Sequence, residues 1–541
     1  MSLIEHFPVN YEPRDTQKEI LKGIHDAFEA GHKYIVVQAP TGCGKSHLAA
    51  TLANYSKDAP GIWKQHIDNN TFFRKDNGEY MYADELLQNA NGTYVLTVTK
   101  QLQKQYEEIF HDSSLLKGKA NYTCNVDPAF NVNVAPCVLL PKMMDECILV
   151  SRCAYFNALN GLLANKFRIT NYSKYLTLPD HAKCCDILIC DEASEIEDTI
   201  INFYTLTINY KKLFHYGITK IDRLLDDSPR TTKLWLTDLL LECTEQFEKV
   251  SRSIKNEIHS ANHIRGEIDR LSGIKNLLEK IQVTLENWSN GQYVITRDKD
   301  SCSFVPLHAK NLTDILFENV NHVVFLSGTI YDCETFTRNL GIKKYRYVEH
   351  PGTFDPKRSP VYAPCKVSLN HSTLEQGLKV IKTQIEDICN MFTDSKGVIH
   401  THTNKITGWL QQNLKNPRLL YRSGHSTNEH ILHDHISTTE PTVLVSPSMV
   451  FGVDLPDDLC RFQIIVKLPY PSLGDKRIKT LAKEDPDWYQ SKMYTKIIQM
   501  CGRGSRNIND TCATFILDGN FIRVTKQNWN KIPEWFRNRL M

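Results

Sequence analysis

The stretch "KYIVVQAPTGCGKSHLAATLANY", residues 33–55, constrains the fold more than any other part of this chain. An apolar run rich in Val and Ile leads into a loop of small residues and then a helix-forming run, which makes a strand–loop–helix unit. A buried strand that feeds a helix in this way belongs to a parallel sheet covered on both faces. Seven more apolar runs repeat the pattern. They are "YVLTVT" (94–99), "DILICDEA" (186–193) and "HVVFLSGT" (322–329), then "GVIHTHT" (397–403), "TVLVSP" (442–447), "RFQIIVKLPY" (461–470) and "ATFILDG" (513–519). Turn formers bound each run and helical stretches separate them. The expected class is α/β, with two parallel-sheet domains.

The 541 residues, 41% of them hydrophobic, are enough for roughly three or four packed domains. The formal net charge of +2 demands no nucleic-acid partner, so any basic track has to be local. The first residues, "MSLIEHFPVNYEP", lack an apolar signal core, and no run is long enough to span a bilayer. The expectation is a soluble protein without a membrane partner, cytoplasmic, or nuclear in a eukaryote. Two insertions interrupt the first strand set. One lies between about Thr99 and Ile187. The other runs from about Asn202 to Val305, has no proline between 230 and 305, and reads as long amphipathic helices.

"APTGCGKS" (39–46) has the composition of a phosphate-binding loop, with Ala39 where a first glycine is usual. Small residues let the backbone N–H groups of Ala39, Pro40, Thr41, Gly42, Cys43 and Gly44 (Pro40 excepted, having none) approach phosphate. Lys45 then reaches the terminal phosphates of ATP, and Ser46 holds Mg2+. Cys43 occupies a variable place in this pattern. "ILICDEAS" (187–194) brings Asp191 and Glu192 to the end of a buried strand, Asp191 for Mg2+ and Glu192 to polarise the attacking water. "QMCGRGSR" (499–506) sets Arg503 and Arg506 three apart. Read as one face of a helix at the domain interface, they would neutralise charge developing on the γ-phosphate, with Gln499 and Gly502 at fixed offsets.

Lys45, Asp191–Glu192, "SGT" (327–329), "FGVDLP" (451–456) and "QMCGRGSR" stand in the order and rough spacing of superfamily 2 helicases, which the chain resembles over nearly its whole length. The resemblance implies two RecA-like motor domains. It implies an adenine reader at Gln17 of "YEPRDTQKEIL" (11–21) and nucleotide contacts from Gly452 and Asp454. It makes "THT" (401–403) a place for nucleic-acid backbone, although a simple loop fits those residues as well. In one respect the chain departs from the pattern: Ser194 stands where a histidine usually follows Asp–Glu–Ala. Serine can hydrogen-bond but carries no charge, so coupling of the nucleotide state to the second domain is expected to be retuned.

Cys124, Cys137, Cys147 and Cys153 crowd the first insertion, where the chain's 16 cysteines in 541 residues give an expectation of about one. A disulfide pair, zinc, an iron–sulfur cluster and chance all compete on the residues alone. An intracellular setting disfavours disulfides, and intervals of 12, 9 and 5 residues lack the CxxC pairs of structural zinc. "KGKANYTC" (117–124), "CAYF" (153–156) and "ITNYSKYL" (169–176) resemble the XPD/DinG family, whose 4Fe-4S cluster lies at this place in the first motor domain. The resemblance implies that all four cysteines ligate such a cluster. It also implies a helical arch at the second insertion. The expected domains are a first motor domain (1–100, 161–204, 301–335), an iron–sulfur domain (101–160), an arch (205–300) and a second motor domain (336–541).

On this reading the protein is an ATP-dependent translocase and helicase on single-stranded and forked DNA, running 5′ to 3′ as a monomeric motor. The short distance ahead of Gln17 leaves no room for a fused nuclease. The alternatives are an RNA-directed motor with a zinc module, or a DNA-binding scaffold with weak ATPase. "HILHDH" (430–435) offers three histidines without a ligand pattern, and Cys184, Cys185 and Cys190 read as buried thiols of a core strand.

Overall fold

The computed structural model describes residues 2–40, 42–58, 73–74, 80–81, 92–110, 112–139, 153–256, 261–350, 355–370, 372–422, 428–447, 455–505 and 509–541. Helix α1 (Asp15–Glu29) turns Ile20, Leu21, Ile24 and Ala27 into the core, and strand β1 (Tyr34–Gln38) follows it. A loop enters α2 (Lys45–Asp58). Next come β2 (Thr93–Thr97), α3 (Lys100–Ile109), β3 (Ser114–Leu116), α4 (Ala154–Ala164), β4 (Phe167–Asn171) and β5 (Cys185–Asp191). One 3-10 turn links β5 to α5 (Ile196–Tyr204). The chain then leaves the sheet through β6 (Leu206–Asn209), α6 (Pro229–Asn256), α7 (Ala261–Glu286), β7 (Tyr293–Arg297) and β8 (Ser301–Pro306). It returns with β9 (Val320–Ser327) and β10 (Arg346–Glu349). The result is a seven-stranded parallel sheet in the order β10-β1-β9-β5-β2-β4-β3.

The second sheet is built from β11 (Val361–Tyr362), β12 (Gly397–His400), β13 (Leu419–Tyr421), β14 (Val443–Ser446), β15 (Phe462–Ile465) and β16 (Ala513–Ile516). Its six strands are also parallel, in the order β11-β16-β15-β12-β14-β13. Between β15 and β16 run α8 (Lys476–Glu484) and α9 (Pro486–Cys501). All eight apolar runs of the sequence therefore lie in parallel sheets, and the two RecA-like domains are present as expected. The strands of all these runs but β16, whose burial alternates, are buried on both faces, which is why they read as unbroken apolar runs instead of alternating ones.

The expected domain limits need correction. β3 falls inside 101–160 yet pairs with β4 of the first sheet, and β10 lies beyond 335 yet pairs with β1. β8, placed with the motor domain by its number, instead joins β6 and β7 in a three-stranded antiparallel sheet of the second insertion. That insertion is not purely helical. α6 and α7 pack along each other through Leu236, Leu239, Cys243, Val250, Ile268, Leu271 and Ile274, and their core continues into Leu206, Ile208 and Phe304 of the small sheet. Leu139, Phe130 and Val134 of the cysteine-bearing segment share this core, so the two insertions are packed together.

Candidate functional site

The order of the first sheet puts β1, β9 and β5 side by side, so their carboxyl ends at Gln38, Ser327 and Asp191 form one edge. Ligands of open parallel sheets bind at such an edge. The loop after β1 is tied across it: Ala39 N donates to Ser327 O at 3.0 Å, and Gln38 Nε2 donates to Gly328 O at 3.1 Å. Gly42 and Gly44 take φ of 82° and 81°. The positive φ of Gly44 favours glycine there, and a Cβ would displace the Gln17 amide from the loop. Lys45 and Ser46 open α2, whose N-terminal dipole faces the loop. Pro40 lies in the same loop, Thr41 lies outside the described residues, and burial pushes the Cys43 thiol up, away from any reactive thiolate.

Gln17 is buried beside this loop. Its Oε1 accepts from Arg14 N at 3.0 Å and its Nε2 donates to Gly44 O at 3.3 Å, while Arg14 Nη1 donates to Gly42 O at 2.8 Å. Both side chains brace the phosphate loop from outside. Arg14 has no signal in the sequence beyond its neighbour Gln17.

Asp191 is buried at the end of β5. Tyr106 Oη donates to its Oδ2 at 3.2 Å, and Glu192 N donates to its Oδ1 at 3.0 Å. Tyr172 Oη holds its carbonyl at 2.9 Å. Burial, reinforced by the charge of Glu192, pushes the Asp191 carboxyl above the ordinary carboxylate range, against the pull of Lys45. Glu192 takes φ 49°, a left-handed conformation that costs a non-glycine residue about 1–3 kcal/mol and turns its carboxylate toward the loop. Lys45 Nζ lies 3.9 Å from Glu192 Oε1. The buried Asp191 carboxylate and the Ser46 hydroxyl beside a helix N-terminus are hard oxygen donors that fit Mg2+ carried on a nucleotide.

Ser194 Oγ stands 2.9 Å from Thr329 Oγ1, which also meets Ser327 Oγ at 3.1 Å. The "SGT" segment is thus tied to the end of β5 within the first domain. Across the domains, Gln499 Nε2 donates to Glu195 Oε1 at 3.1 Å. Beside it, Glu197 Oε1 accepts from Arg477 Nη2 at 3.1 Å and Trp488 Nε1 at 2.8 Å, and Glu197 Oε2 lies 3.1 Å from Lys492 Nζ. Lys492 also donates to Asp198 Oδ1 at 2.9 Å. Burial opposes the Lys492 charge, but Asp198 and Glu197 outweigh it and hold the ammonium charged above its usual range. Sequence reading missed Glu195, Glu197 and Asp198. "SEIED" reads as ordinary acidic residues at a helix start, and its partners lie some 280–304 positions away.

Arg503 lies in the turn beyond α9 rather than on the helix. α9 ends at Cys501 with Gly502 as its cap, and Arg503 N donates to Met500 O in the following turn. Arg506, Gly452 and Asp454 lie outside the described residues. The hydroxyls of "THT" are used internally: Thr401 meets Thr407 at 2.6 Å, and Thr403 caps the helix Asn404–Asn413. His435 of "HILHDH" is buried against Thr442 and the Leu459 carbonyl, a structural role.

Cys124, Cys137 and Cys153 are in no disulfide, and Cys147 lies outside the described residues. Cys153 is the N-cap residue of α4 and packs against the core that holds Tyr155. Lys119 and Lys174 both lie over the Tyr155 ring, and burial pushes Lys174 down to about 8. Thiols beside lysines suit an anionic cluster in their chemistry. Among the described residues, however, no three ligating side chains are gathered into a metal-holding group. Cys184, Cys185 and Cys190 are buried, as expected.

A family model described as a helicase C-terminal domain matches residues 379–539, and one described as the res subunit of type III restriction enzymes matches residues 10–73. The regulator of telomere elongation helicase 1 homolog of Caenorhabditis briggsae is 29% identical over 105 residues, covering 16% of this chain and 10% of that protein. The ATP-dependent DNA helicase CHL1 of Candida albicans is 29% identical over 115 residues, 18% of this chain and 13% of its own length. The chain thus spans only about a tenth of the curated relatives it matches. A solved XPD helicase superposes with a TM-score of 0.63 at 15% identity, over 96% of this chain and 98% of that one, and so shares its fold. Among the described residues no helix is long and apolar enough to cross a membrane.

Proposed function

We propose, on the premise that this chain is built as an XPD-like superfamily 2 helicase, that it hydrolyses ATP to move along single-stranded DNA and separate forked or duplex DNA, 5′ to 3′. The observation that carries this reading is Lys45 facing Glu192 at 3.9 Å, on a sheet edge that the second domain reaches through Gln499. A nucleotide there lies between the domains, so its hydrolysis changes how they meet.

The roles follow from position. Backbone N–H groups of the 39–44 loop receive the phosphates, and Lys45 meets the terminal ones. Ser46 and Asp191 are placed to hold Mg2+, which supplies charge neutralisation on the phosphates when bound. Glu192 orients the attacking water, and Arg503 with Arg506 meets the charge that develops in the transition state. Gln17, Gly452 and Asp454 complete the nucleotide contacts. Cys124, Cys137, Cys147 and Cys153 are assigned to a 4Fe-4S cluster that would staple the first insertion beside the DNA path, with the second insertion as the arch.

The test pairs strand separation with turnover. The wild-type chain unwinds a forked duplex with ATP, whereas Lys45→Ala retains single-strand binding and loses hydrolysis by at least about a hundredfold. Turnover like that of the wild type in Lys45→Ala would place the nucleotide elsewhere.

A further inference from the structure

Ser194 occupies the position at which the resemblance leads one to look for a link between the domains, yet its hydroxyl bonds Thr329 of its own domain. The link is made one residue later. Glu195 Oε1 accepts from Gln499 Nε2 at 3.1 Å, and the Gln499 Oε1 atom is buried without a partner among the described residues. The Gln499 amide is therefore fixed by Glu195 rather than by its own domain.

Both ends of this contact are short and stiff. On one side, Ala193–Glu195 is a single 3-10 turn closed by Glu195 N donating to Glu192 O at 3.0 Å, and Glu192 faces Lys45. On the other side, Gln499 sits in the last turn of α9, and Met500 O holds Arg503 N at 3.1 Å just beyond the helix. Earlier along α9, Trp488 and Lys492 are gripped by Glu197 and Asp198. The acidic run from Glu195 to Asp198 thus holds α9 at successive heights, and its first member stands nearest the nucleotide edge.

We propose that Glu195, and not Ser194, is the positioning residue that couples the carboxylates of the nucleotide site to Arg503, acting through Gln499. The proposal rests on the ATPase reading above. A displacement of Glu192 is passed through one turn to Glu195, moves Gln499, and so sets the distance of Arg503 from the phosphates. Losing the contact leaves ATP bound but Arg503 misplaced.

The experiment compares Glu195→Ala, Glu195→Gln and Ser194→Ala as full-length proteins, with Lys45→Ala as control, reading DNA-stimulated kcat and KM together with affinity for a fluorescent ATP analogue. Glu195→Ala is expected to lose about tenfold or more in kcat, with KM and analogue affinity within about twofold. Glu195→Gln keeps an acceptor oxygen for the Gln499 amide and recovers at least about a third of the lost rate, while Ser194→Ala loses less than about threefold. Full turnover in Glu195→Ala beside an inactive Lys45→Ala overturns the proposal and leaves the ATPase reading standing. Equal losses in kcat and analogue affinity, or no recovery in Glu195→Gln, also overturn it by reducing Glu195 to a structural contact. Absence of turnover in the wild type, with Lys45→Ala no different, removes the ATPase reading itself.

Discussion

Replacing Glu197 by alanine removes the acceptor on which three donors of the second domain converge. Glu197, Arg477 and Lys492 have side-chain exposures of 12%, 8% and 15%, so water screens them little. Breaking a buried pair from one side costs about 3–5 kcal/mol when the remaining charge is left alone. Here each cation keeps something. Lys492 retains Asp198 at 2.9 Å, and Arg477 retains the Pro306 and Leu307 carbonyls at 2.9 and 3.1 Å. The Trp488 indole N–H keeps no acceptor among the described residues, since both of its bonds there go to Glu197. The expected loss is therefore near the low end, about 3 kcal/mol, about 1–2 of it from the stranded indole. Urea unfolding followed by tryptophan fluorescence reads this, with Trp488 itself at the interface. A double-mutant cycle with Lys492→Met isolates the cross-domain part, expected at about 2 kcal/mol. If the two changes add within about 0.5 kcal/mol, the cluster does not hold the domains together and the reasoning fails.

Substituting either Arg503 or Arg506 by alanine lowers kcat by at least about tenfold while ATP affinity stays within about threefold, because the charge acts mainly in the transition state; equal losses, measured by steady-state kinetics and nucleotide titration, would make them ground-state contacts. Cys137→Ser bleaches the brown colour, loosens the 101–160 region to proteolysis and leaves residual ATPase without unwinding. Stoichiometric zinc without iron or acid-labile sulfide, in wild-type protein made anaerobically with iron, would refute the cluster. Burial pushes His400 down from 6.5 to about 4, so between those pH values the unfolded chain binds a proton that the folded chain does not. Stability of the second domain therefore falls as pH drops from 6.5 toward 4, by up to about 3 kcal/mol, and the urea midpoint of His400→Leu changes less over that window.

What the sequence determined by itself is local. Each of the eight apolar runs is long enough, and apolar enough, to specify a strand, seven of them buried on both faces, and "APTGCGKS" carries its own turn chemistry in Gly42 and Gly44. Lys45, Asp191 and Glu192 could be assigned because their neighbours in sequence fix their position at a strand end or a helix start. Short strands were not legible: β3, β10, β11 and β13 have two to four residues and exist because a neighbouring strand offers unpaired backbone groups. Such pairing is a property of the sheet. The helix end at Gly502 was also missed, since a glycine within "QMCGRGSR" reads equally well as part of the motif. Only the tertiary structure decided the interface between the domains. Glu195, Glu197 and Asp198 follow the Asp–Glu pair directly, but their meaning depends on Arg477, Lys492 and Gln499, which chain folding brings across nearly 300 residues. A carboxylate at a helix start has the same sequence signal whether it faces water or a buried cation; burial and partner, and hence its energetic weight, are set by what packs against it.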